Sequence, residues 1–107
     1  MADASALTAS VNRLLAQISH WQQPRWSSPS AHPPATRADV VHDLVQRLAD
    51  LAADAEGRAR RQVPREYDLT LPDQLRVMVA DLLAADPPGD VLSQAVAAVS
   101  DTRKALP

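Results

Sequence analysis

The sequence predicts an all-α protein, an antiparallel up-down-up-down four-helix bundle, and three observations predict it. Apolar residues recur every three or four positions in four separate stretches, proline clusters punctuate those stretches, and no run alternates apolar with polar residues as a half-buried strand would. Each stretch presents one apolar stripe that must be covered, and four such stripes cover one another most simply by packing around a shared core.

The first stripe is Leu7, Val11, Leu14, Leu15, Ile18 and Trp21, which predicts a helix over about 4–22, with Asp3 or Ser5 able to cap its start. Pro24 sets an upper bound on its end, because proline disfavours helical geometry in the residue before it. Residues 24–35 hold four prolines and three serines without a period and read as a loop. Thr36 with Asp39 three positions on is an Asp variant of the capping box and opens a second helix over about 37–62.

That helix carries Val41, Leu44, Leu48, Leu51, Ala52 and Ala55 on one face, with Asp43, Gln46, Arg47, Asp50 and Asp54 opposite. Gly57 is a plausible cap, but alternating Arg and Ala beyond it can carry the helix to Gln62, where Pro64 stops it. Thr70 and Pro72 open a third helix, 71–85, whose inner side is Leu75, Met78, Val79, Leu82 and Ala85. After the break at Asp86-Pro87-Pro88-Gly89-Asp90, Leu92, Ala95, Val96, Val99 and Leu106 mark a fourth helix over 88–106, ending in Arg103 and Lys104 where cations favour the helix dipole.

At 107 residues the chain is expected to form a single helical-bundle domain, 1–107. Its apolar content is Ala, Leu and Val, with no Phe and two Trp, a composition of the actinobacterial type suited to close-packed helices. Without cysteine there is no disulfide, thiolate metal site or cysteine nucleophile, which fits a reducing cytoplasm. The N-terminal residues lack the pattern of a signal peptide and no stretch is apolar enough for a membrane span, so a cytoplasmic protein with no membrane partner is expected.

Few features bear chemistry. His20, His32 and His42 lie apart in sequence, with no pair at the spacing of HExxH, and His42 falls at the rim of the second stripe. Two glycines exclude a glycine-rich phosphate loop, and G-x-S-x-G is absent. Trp21 and Trp26, expected at one end of the bundle near Pro87 and Pro88, could border a ligand pocket with Arg25 and His32 as polar handles. Arg58, Arg60, Arg61 and Arg65 form a possible basic patch for nucleic acid, but Asp54, Glu56, Glu66 and Asp68 flank them and the net charge is -2, so such binding is not the expectation.

Trp26-Ser-Ser-Pro29 followed by Thr36-Arg-Ala-Asp-Val-Val-His42-Asp-Leu44 resembles the DinB-like families and the related N-terminal domain of mycothiol-dependent maleylpyruvate isomerases. In those families a first helix ends near a tryptophan and a proline-containing loop. The resemblance spans roughly residues 7 to 56 and implies a four-helix bundle in which His42 is one of three ligands to a divalent metal. The second half departs from the pattern: it holds no histidine, so the H-x-x-x-H pair has no counterpart. With no complete catalytic set, the leading expectation is a non-catalytic, cofactor-free interaction or accessory module acting on itself or on a protein partner. The alternatives are a DinB-like metal-dependent enzyme or thiol transferase, and a nucleic-acid binder.

Overall fold

Helix α1 (Ala4–Ile18) begins where the Asp3 carboxylate accepts the Ala6 N–H at 2.8 Å, so one of the amides left without a helical partner is satisfied by a side chain. The computed structural model describes residues 2–107. The helix stops at Ile18 and not at 22, because Pro24 sits in the first turn of a separate short helix, α2 (Gln23–Trp26), which starts from the extended Gln22. The stretch read as a loop from residue 24 is therefore helical as far as Trp26.

Helix α3 (Arg37–Ala55) opens with both halves of the capping box: the Thr36 hydroxyl accepts the Asp39 N–H at 3.1 Å, and the Asp39 carboxylate accepts the Thr36 N–H at 2.9 Å. It ends well short of 62. Gly57 takes a positive φ of 67°, the Arg58 N–H bonds Ala53 O at 3.0 Å and the Gly57 N–H bonds Asp54 O at 3.2 Å, a closure that turns the chain out of the helix. Residues 58–67 have no regular structure and lead to a single 3-10 turn, Asp68–Thr70. Helices α4 (Leu71–Ala84) and α5 (Gly89–Ala105) follow, separated by Asp86 at a φ of 48° and the two prolines after it.

The fold is all-helical, as the stripes predict, but the order of helix directions differs from up-down-up-down. Ala2 donates to Ser93 at 2.8 Å, which sets the start of α1 beside the start of α5; Arg37 donates to Leu106 O at 2.7 Å, which sets the start of α3 beside the end of α5. The start of α4 lies at that same end, since Gln23 donates to Asp68 at 2.9 Å and Arg65 meets Asp39 at 3.1 Å. Helices α1 and α5 thus run one way, α3 and α4 the other, so that two helices consecutive in the chain are parallel. The physical cause is the segment 58–67. Extended, its ten residues reach about 33 Å, enough to retrace the roughly 28 Å of α3 before α4 begins.

Close packing joins α3 to α4, α3 to α5, and α1 to α5. Leu7, Leu14 and Ile18 of α1, Val41, Val45 and Leu48 of α3, Leu75 and Leu82 of α4 and Val99 of α5 are fully covered in one core cluster. Pro87 and Pro88 lie at the end opposite the tryptophans, a direct result of the parallel α3 and α4.

Candidate functional site

The returning segment 58–67 is a strap laid along the polar face of α3, and its anchors run in register. Arg60 forks onto Asp54 at 3.0 and 2.7 Å and comes within 4.0 Å of Asp50. About one turn back from Asp50, the Gln46 amide accepts the Val63 N–H at 2.7 Å and donates to Arg61 O at 3.0 Å, closing two backbone bonds of the strap with one side chain. Arg65 then bridges Asp39 at 3.1 Å and Asp68 at 3.6 Å, an acid near the start of α3 and one just ahead of α4. Val63 is the strap's buried side chain; the rest of its length is exposed.

These contacts set the local electrostatics. The Asp39 carboxyl is held below its ordinary value of 3.8 first by the Thr36 N–H, against a smaller opposing effect of burial, and then by Arg65 and the Thr36 hydroxyl. Asp54 is lowered first by its hydrogen bond from Arg60, and Arg60 is raised in turn by Asp54. The arginines expected to form a basic patch are thus largely engaged: Arg58 with Glu56 at 2.6 Å, Arg60 with Asp54, and Arg65 with Asp39 and Asp68. Arg61 takes part in no ion pair among the described residues.

His42 lies on the same face of α3 as Asp39 and Gln46, between two anchor points of the strap. It is half-buried, and its Nε2 is shut from solvent without a hydrogen-bond partner. The divalent metal implied by the resemblance does not fit there: among the described residues no group of three His, Cys, Asp or Glu side chains is placed to hold an ion. No step through a metal follows from this arrangement.

Trp21 and Trp26 meet edge to face, with ring centroids 5.0 Å apart and planes at 70°, and the Arg25 guanidinium stands 5.0 Å over the Trp21 ring. Trp26 is fully covered and Trp21 6% exposed, so both rings serve the core. His32, expected beside them, lines a different groove of about 400 Å³ between α3 and the end of α5, with Asp43, Arg47 and Asp101. Trp21 and Arg25 line a groove of about 650 Å³ together with His20 and Pro24, and His32 borders the other groove.

Sequence reasoning passed over the face made by the strap and α4. Three large apolar side chains stand outside the core there and nearby: Tyr67 is 84% exposed, Leu69 54% and Val77 52%. Two shallow grooves flank Met78 on this face. One of about 250 Å³ is bordered by Ala49, Ala52, Arg61, Val63 and Asp81, and one of about 440 Å³ by Glu66, Thr70, Asp73 and Val77. No protein-family model, curated protein or solved structure matches this chain.

Proposed function

We propose that this chain is a non-catalytic helical-bundle module that works by association, and that the strap and α4 form its docking face. The observation that carries the proposal is the exposure of Tyr67, Leu69 and Val77, where the other large apolar side chains among the described residues are buried or half-buried. Val77 borders a groove with Met78 beneath a polar rim, the kind of surface that a partner can cover. The rim here is Glu66, Asp73, Arg61 and Asp81. Among the described residues no helix is long and apolar enough to cross a membrane, and a protein surface is the partner that this mixed rim suits.

A photo-crosslinking residue placed at Val77, compared with one at the exposed Arg13 on α1, tests the proposal in the native host. Val77 is expected to form discrete adducts and Arg13 none. Absence of any adduct at Val77, with Arg13 equally silent, would overturn the association reading.

A further inference from the structure

Building on the association reading, we propose that the partner at this face is a second copy of the chain, related by a twofold axis that passes close to Met78. Met78 borders both grooves, so it lies at the middle of the face, with Arg61 in the groove on one side and Glu66 in the groove on the other. Arg61 and Glu66 are both exposed and take part in no ion pair among the described residues, whereas Arg58, Arg60 and Arg65 on the same strap are engaged. Two opposite charges, one on each side of an apolar centre, are the pattern a twofold axis turns into two equal ion pairs. Rotation about Met78 brings Arg61 of one copy over Glu66 of the other, and the reverse pair forms by symmetry.

The remaining charges are compatible with that pairing. Asp73 is already balanced by Arg76 at 2.7 Å, so it meets the partner's Asp81 with its charge largely offset. Val77 of each copy packs beside Met78, with which it shares a groove. The face is about 30 Å long, set by the strap, and roughly 20 Å wide, set by two adjacent helices; such a patch supplies about 600 Å² per copy, the low end for specific pairing. The dimer is therefore an exchanging one.

Sedimentation of the full chain from about 1 µM to 1 mM tests the proposal, with circular dichroism confirming that each variant folds. The wild type is expected to shift from monomer to dimer with concentration. Arg61→Glu and Glu66→Arg are each expected to weaken the dimer by about tenfold or more, and the double reversal to restore it, because the charges are then exchanged and not lost. Val77→Asp is expected to leave a monomer. A wild type that stays monomeric throughout, or a dimer indifferent to both single reversals, would overturn the twofold proposal. The crosslink at Val77 separates the two levels: an adduct of twice the chain mass supports the second copy, an adduct with a different protein alone overturns it and leaves the association reading standing, and no adduct removes both.

Discussion

With no exposed surface and with Leu44 and Leu51 a turn to either side, Leu48 is enclosed by the core at the middle of α3. Leu48→Ala is expected to cost about 2 to 5 kcal/mol, the range for a buried leucine whose site cannot collapse, read by chemical denaturation. Gly57 makes a different kind of demand. Nothing lies within 4 Å of where a Cβ would stand, so space is not the obstacle, but the φ of 67° is one an L-residue adopts at a penalty of about 1 to 2 kcal/mol. Gly57→Ala is expected to lose about that much in the same measurement, without any clash. Leu48 was legible in the sequence because a stripe midline needs only periodicity. Gly57 was only half legible: the residue was noted, but Arg and Ala alternating beyond it are good helix formers, and nothing local decides between continuing and turning out.

At the scale of elements, the capping box that opens α3 was read correctly because its geometry depends on residues three apart. The strap was not, since its anchors lie 6 to 26 residues away: Arg60 on Asp54, Val63 on Gln46, Arg65 on Asp39. The sequence shows acids beside the arginines, but nothing local says that the chain turns back at Gly57 and lays Arg60 onto Asp54 and Arg65 onto Asp39. Asp39 ties the cap to the strap and gives stability a pH dependence. Its carboxyl binds a proton less readily in the folded chain than its ordinary value of 3.8 implies, so the stability it contributes is full above that value and is lost as pH falls below it and through the folded-state value. Denaturation between pH 2.5 and 7 is expected to show that loss, and Asp39→Asn is expected to be less stable at pH 7 and to flatten part of the acid limb; an unchanged limb would detach Asp39 from it. Thr36→Ala, which removes the other half of the box, is expected to cost about 1 kcal/mol. For Gln46, substitution by Ala is expected to speed amide hydrogen exchange at Val63, whose N–H it holds at 2.7 Å.

For the whole molecule, helix content followed from stripes, whereas the direction of α4 relative to α3 did not. Short connections make antiparallel neighbours, and a second helix running to 62 leaves only a short connection to 71. Once α3 ends at Ala55, fifteen residues separate it from Leu71, and a parallel neighbour becomes possible. The candidate site followed the same division. The short chain between Trp21 and Trp26 makes them legible as neighbours, whereas the loop that holds His32 is pinned to the end of α5, with the Ala31 N–H on Ala105 O at 2.8 Å, an anchor that no local pattern marks.

The strap also divides the chain into two pieces joined by helix packing and by a few hydrogen bonds such as Ala2 to Ser93 and Arg37 to Leu106 O. Everything before it supplies α1 to α3, and everything after it supplies α4 and α5, whose Leu75, Leu82, Ala95 and Val99 are fully covered by the rest of the core. The strap itself adds one buried side chain, Val63, and its four arginines are exposed cleavage positions for trypsin. A brief digestion is expected to cut there first and to leave a nicked particle that elutes at the size of the intact chain, because the free energy of assembly resides in helix faces that the cut does not touch. Denaturant should then release the two fragments, and mixing them after its removal should rebuild the particle. The chain's covalent continuity through residues 58–67 would thus set which helices lie parallel during folding, while contributing little to holding them together afterwards.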